Sequence, residues 1–191
     1  LLPFLMSMVI LSYIVYALLS SENGLVNNTI LEALHIDPIQ WYQEPKYWPV
    51  ILIVANCWKG VGYGCLIYIA SLIGIDPAYY EAARLDGASK WQEITKITLP
   101  CLVPTIITLL LLSIGRIFYS DFGLFYQVPM NSGVLFPTTN VIDTYVYRAL
   151  IEQGNISMSS AAGVYQSLVG FVVVMISNWI VRRVDKDQAL F

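Results

Sequence analysis

Four apolar runs divide the chain, at roughly residues 1–20, 48–73, 100–118 and 161–183. Each holds about 18 residues or more, enough for a helix to cross a hydrocarbon core near 30 Å. Lipid offers no partner for an unpaired backbone group, so such runs predict helices. The pattern therefore reads as all-α, a polytopic transmembrane helix bundle with about four spans, in which residues 1–191 form a single domain. Between the runs the polarity changes character. Residues 21–47 and 119–160 mix aromatic residues with turn formers, while residues 76–99 carry the start and stop signals of short helices.

Residues 76–99 are the most informative stretch. Asp76-Pro77 pairs an N-cap acid with a proline in the first helical position. Tyr80, Ala83 and Arg84 follow on one face. Gly87 fits the left-handed position that ends a helix. Ser89 then starts a second helix, and Gln92 three residues on completes a capping-box pattern. Trp91, Ile94, Thr95 and Thr98 continue at helical spacing until Leu99-Pro100 leads into the third apolar run. The prediction is a helix, a tight glycine turn and a second helix, placed between two membrane spans. Its apolar face rests on its own bundle and its tip offers a carboxylate and small residues, a form suited to the groove of a partner.

Composition supports the membrane reading. The chain is 57% hydrophobic and only 12% charged, about half the usual charged share of a soluble domain. Arg84, Lys90 and Lys96 lie between the second and third runs, and Arg182, Arg183 and Lys186 follow the fourth. The excess of basic residues on one side puts loop 76–99 and the C-terminus in the cytoplasm. Segments 21–47 and 119–160 then lie outside. Cys57, Cys65 and Cys101 form no metal or disulfide pattern and are expected as buried, inert thiols. No metal site and no cofactor is indicated. The start, Leu1-Leu2-Pro3, has neither Met nor a basic segment, which argues against a signal peptide and suggests a fragment lacking its N-terminal part.

Within the first external segment, Asp37-Pro38 reads as another helix start, with Ile39, Trp41 and Tyr42 in a short interfacial helix. Trp41, Tyr42, Tyr47 and Trp48 make an aromatic cluster before the second span. Val141 to Ile151 has helical spacing. Small residues line the second run (Cys57, Gly60, Gly64, Ser71) and the fourth (Ser160, Gly163, Ser167, Gly170, Ser177), a pattern that lets helices approach closely. Polar and aromatic residues in the spans and the outer loop are candidates for a solute path: Lys59, Arg116, Asp121, Tyr126 and Gln166. Each has a plainer alternative. Lys59 either snorkels or faces a polar path. Gln166 either lines a lumen or makes an interhelical hydrogen bond. Arg116 and Asp121, five residues apart, either serve solute or pair with each other.

The string EAARLDGASKWQEITKITLP, from Glu81 to Pro100, resembles the EAA signature of ABC-transporter importer permeases. The likeness extends to Trp58-Lys59-Gly60-Val61-Gly62-Tyr63-Gly64, to Tyr119 through Pro129 (containing DFGLFYQVP), to Thr144-Tyr145-Val146-Tyr147-Arg148, and to Asn178–Arg183 with Ala189-Leu190-Phe191. Together these resemble the polysaccharide-type branch of binding-protein-dependent carbohydrate permeases. The resemblance implies a type I ABC importer permease fold in a bacterial plasma (inner) membrane, commonly with six spans, so that about two are absent here. It implies that Glu81, Ala82, Ala83, Asp86, Gly87 and Ala88 dock on cytoplasmic ABC ATPase subunits. Glu81 would meet a basic residue of the ATPase, Gly87 would make the turn, and the alanines would allow close contact. It further implies a second permease subunit, a different chain, and an extracytoplasmic solute-binding protein. Ile94 departs from the pattern, since many sugar permeases have Phe there.

Two other classes compete. A membrane enzyme would need a nucleophile, base or metal cluster, and the spans carry no HExxH, no paired carboxylates and no Cys-His set. A secondary transporter or channel would leave loop 76–99 unexplained. The chain has no GxxxxGK[ST] phosphate loop, so an ATP-driven importer would take its energy through contact with a separate ATPase. Besides those subunits and membrane lipid no partner is indicated, and no nucleic acid.

Overall fold

The computed structural model describes residues 1–184. Lys186, Ala189, Leu190 and Phe191, named above for charge and resemblance, lie outside the described residues. Among those described, all regular structure is helical: α1 (Leu2–Leu5), α2 (Met8–Leu19), α3 (Trp48–Ile73), α4 (Pro77–Leu85), α5 (Lys90–Glu93), α6 (Leu99–Gly115), α7 (Phe136–Thr139), α8 (Ile142–Ile151) and α9 (Ile156–Val184). Three helical stretches are long and apolar enough to cross a membrane: Pro45–Ile73, Lys90–Gly115 and Ile156–Arg183. The second expected span coincides with α3, and the fourth begins five residues earlier than its apolar run.

The first apolar run, expected as one span over 1–20, is divided. Pro3 opens the short α1, and Ser7 caps a new helix by accepting a hydrogen bond from the Ile10 amide at 3.2 Å. The continuous piece, α2, has 12 residues, or about 18 Å of helix.

The helices gather into two compact units. The first comprises residues 1–62 and 119–166. Its core is Leu11 and Val15 of α2, Trp48, Leu52 and Ala55 of α3, and Leu124, Val128 and Leu135 from the segment before α7. Rings frame this core: Trp41 on Tyr47 at 5.1 Å, Tyr42 on Trp48 at 5.0 Å and Tyr16 on Tyr42 at 5.5 Å. The expected aromatic cluster thus forms. The expected helix start at Asp37-Pro38 does not. Helical turns instead occupy Val26–Leu31 and Trp41–Gln43, and residues 36–40 have no helical structure. Asn27 is the reason. Its buried side chain donates to the Ile39 carbonyl at 3.0 Å and accepts from the Ile39 amide and, at 2.8 Å, from Trp41 Nε1. This takes up the Ile39 carbonyl, which a helix begun at Pro38 would have offered to the amide four residues on. Val141–Ile151 follows expectation as α8.

The second unit comprises residues 63–118 and, among the described residues, 167–184. Within it the Ser71 and Thr105 hydroxyls meet at 2.9 Å, tying α3 to α6. Cys57, Cys65 and Cys101, expected to be buried, are exposed. They stand on helix faces that the other described residues do not cover. Gly60 and Gly64 likewise meet nothing within 4 Å of an added methyl.

Candidate functional site

The stretch 76–98, within the second unit, is built by local rules. The Asp76 carboxylate accepts from the Ala78 amide at 2.9 Å and caps α4, with Pro77 in its first turn. Gly87 closes α4 at φ 78°. Around it the Ala88 amide donates to the Ala83 carbonyl at 2.9 Å and the Gly87 amide to Arg84 at 3.1 Å, the paired bonds of a Schellman turn. Ser89 then opens α5 through a reciprocal capping box: its amide donates to Gln92 Oε1 at 2.7 Å and its hydroxyl accepts from the Gln92 amide. The helix, glycine turn and helix expected here are all present. A π-helical turn, Ile94–Thr98, joins α5 to α6.

Side chains fasten the two arms. Arg84 Nε donates to Glu93 Oε1 at 3.1 Å, and Lys90 Nζ to Glu93 Oε2 at 3.0 Å. Glu93 is only 5% exposed. Lys90 first and then Arg84, both hydrogen-bonded to it, hold its carboxyl below the usual carboxylate range. The Tyr80 and Thr98 hydroxyls meet at 2.9 Å, and Thr98 also donates to the Glu93 carbonyl.

The expected docking residues lie on α4 and in the turn that follows it. Glu81, Ala82, Asp86 and Gly87 are exposed, and Ala83 and Ala88 are half-buried against the turn. The Glu81 carboxylate makes no ion pair among the described residues. Beside them Leu85 is 90% exposed and Trp91 72%. These two apolar side chains therefore do not rest on the described helices. An added methyl on Gly87 would meet nothing within 4 Å, so backbone conformation, not crowding, demands glycine there.

The expected solute-path residues have separate local settings. Lys59 Nζ donates to the carbonyls of Pro3, Phe4 and Met6 at 3.3, 2.9 and 2.5 Å, a third role beside the two foreseen. Arg116 is exposed at the end of α6. Asp121 accepts from the Leu124 amide at 3.0 Å, so it caps the following helical turn. Tyr126 stacks with Phe122 and Tyr147, at 4.8 and 5.1 Å between centroids, and burial pushes its hydroxyl above its ordinary pKa. Gln166 is 4% exposed and donates to Asp143 Oδ2 at 3.3 Å; the same oxygen accepts from the Ser120 amide.

Two residues stand out that sequence reasoning did not single out. Glu93 is one, and its signal was available: it is the lone acid of α5, three residues after Lys90. Arg148 is the other. It is 8% exposed, packs 4.1 Å from the Phe136 ring centroid, and donates to Asn131, Asn140 and Thr144. It thereby pins the turn in which Met130 and Asn131 both adopt positive φ.

Comparison with known proteins places this geometry. The sequence profile described as "Binding-protein-dependent transport system inner membrane component" matches residues 1–186. Protein LplB of Bacillus subtilis is 30% identical over 185 residues, covering 97% of this chain and 57% of that protein. The polygalacturonan/rhamnogalacturonan transport system permease protein YteP of the same organism is 32% identical over 190 residues, with the same coverage of 97% and 57%. A chain in the crystal structure of a bacterial alginate ABC transporter, in complex with an alginate pentasaccharide-bound periplasmic protein, superimposes with a TM-score of 0.89. It is 36% identical and is matched over 97% of this chain and 63% of its own length. The chain thus spans less than two thirds of the length of these relatives.

Proposed function

This chain belongs to the family of binding-protein-dependent transport system inner membrane components, and from that premise we propose that it is a transmembrane subunit of an ATP-driven ABC importer for a sugar or oligosaccharide. On this reading residues 1–191 act as one permease domain in a bacterial plasma membrane, with the C-terminus and loop 76–99 in the cytoplasm. The subunit carries no ATPase site of its own. Cytoplasmic ABC ATPase subunits grip the loop, a second and different permease chain completes the path, and an extracytoplasmic solute-binding protein delivers the solute.

One observation carries the reading most. The stretch 76–98 is a capped, internally fastened unit whose tip presents Glu81, Leu85 and Asp86 to its surroundings. A connection between spans needs none of these caps, and an exposed leucine beside a carboxylate suits a partner's groove. The uncovered faces of α3, α6 and α9 suit lipid and a second permease subunit. Mechanistically, ATP closes the ATPases, the docked helices move with them, and the spans exchange inward and outward openings. Docking site and path then bias one shared equilibrium.

The test is solute uptake by cells carrying the full importer, with ATP depleted while the ion gradient is held. Uptake should stop. Uptake that persists on the gradient alone would assign the chain to a secondary transporter or channel.

A further inference from the structure

The arms of the docking unit differ in how they join the membrane helices. The second arm is continuous with a span: residues Lys90–Gly115 run as one 26-residue helical stretch through α5, the π-helical turn and α6. The first arm, α4, follows α3 through the link Gly74–Asp76. The side-chain bond of that link, which the Ala78 amide donates to the Asp76 carboxylate, stays within α4's own first turn. What fixes α4 to the second arm is the set of ties around Glu93 and Thr98. Arg84 reaches Glu93 across the glycine turn, Lys90 holds the other carboxylate oxygen, and Tyr80 bonds Thr98 one and a half turns further along.

Resting on the docking reading above, we propose that Glu93 is a positioning residue that fastens docking helix α4 to the Lys90–Gly115 rod, so that displacement of α4 reaches the span begun by α6. A buried carboxylate suits this task. It accepts from both cations at once, one on each oxygen, and loss of either cation would leave one oxygen of a side chain only 7% exposed without its charged partner. The Thr98 hydroxyl adds a second point of attachment and also bonds the Glu93 carbonyl. Two attachments along the rod resist rotation of α4 where one would act as a pivot. The three-residue link is bonded to α3 through its backbone alone, Gly74 to the Ala70 carbonyl and Ile75 to the Leu72 carbonyl, both at 3.2 Å, whereas side chains fasten α4 to the Lys90–Gly115 stretch.

The experiment uses the whole importer in proteoliposomes. It compares wild type, Glu93→Gln, and a double variant Arg84→Cys with Glu93→Cys, in a background where Cys57, Cys65 and Cys101 are replaced by serine. The double variant is examined before and after bridging with a short thiol-specific crosslinker. Two quantities are read: ATPase retained by the permease, and solute imported per ATP hydrolysed. Glu93→Gln is expected to retain the ATPase while import per ATP falls about 5- to 10-fold, the low end of two-site coupling. Bridging should restore import in the double variant. Unchanged import per ATP in Glu93→Gln overturns the inference and leaves docking intact. Loss that bridging does not repair also overturns it, because the residue then serves something other than fastening. Release of the ATPase by Glu93→Gln alone would place Glu93 in the docking surface and overturn its positioning role. Wild type that retains no ATPase would overturn the docking reading itself.

Discussion

The amide of Ala88 reaches back to the carbonyl of Ala83 at 2.9 Å, and the chain can close that loop only because Gly87 lies at φ 78°. A left-handed residue other than glycine costs about 1–2 kcal/mol, least for Asn or Asp. Space is not the obstacle, since a methyl on Gly87 would touch nothing. Gly87→Val should therefore distort the turn and lower ATPase recovery, while Gly87→Asn stays near wild type. Recovery of the ATPase by membranes holding equal amounts of each variant measures it. Equal recovery with Val and Asn would remove the backbone argument.

Acid should loosen the same unit. Glu93's pKa is depressed in the folded state, by Lys90 first and Arg84 next. A depressed carboxyl contributes stability that is fully present above its unfolded pKa, about 4.3, and is lost as pH falls through the folded value. Pepsin cleavage near the exposed Leu85 and Trp91, in membranes exposing loop 76–99, should accelerate relative to a control peptide as pH drops below the ordinary glutamate range. Glu93→Gln should be cleaved at the fast relative rate at every acid pH tested. A wild-type relative rate that does not change with pH would count against the clamp.

Much of this site was legible in the sequence, for a physical reason. The Asp76 cap, the Gly87 turn and the Ser89–Gln92 box are each closed within a few residues, so composition and spacing carry them. The ends of α3 follow from the apolar run itself. The Arg84–Glu93 tie spans nine residues and exists only once the hairpin has formed. The same limit explains the error at Asp37-Pro38. Its local signal for a helix is sound, but Asn27, ten residues earlier, takes the Ile39 backbone for itself. Lys59 illustrates a third limit. Its nearest acceptors are carbonyls more than fifty residues away in sequence, which no periodicity reveals.

Asn27 should accordingly matter more than its place in a connecting segment suggests. Removing its side chain strands the Trp41 indole N–H and the amide and carbonyl of Ile39. A buried polar group left unpaired costs about 1–3 kcal/mol. Asn27→Ala should lower the melting temperature of the detergent-solubilised protein and quench or shift Trp41 fluorescence. Asn28→Ala, whose side chain is exposed and bonds only the Glu22 carbonyl, serves as control. Equal effects from both would remove Asn27 as a keystone.

Gln166 separates a structural from a solute-handling role. It is buried and bonded to Asp143. A hydrogen bond between helices inside a membrane contributes roughly 0.6 kcal/mol. Gln166→Leu keeps the volume, so uptake should follow membrane abundance, with a small loss of stability. Uptake that falls tenfold at unchanged abundance and unchanged melting would instead put Gln166 on the path.

On the docking reading, a separate ATPase holds the tip of loop 76–99. A photoreactive amino acid at Leu85, the most exposed apolar side chain of that tip, tests it in the assembled importer. The account expects a covalent product joining permease and ATPase, weakened by Glu81→Lys at equal permease abundance. Adducts only to lipid or to the permease itself, with the ATPase present, would contradict it.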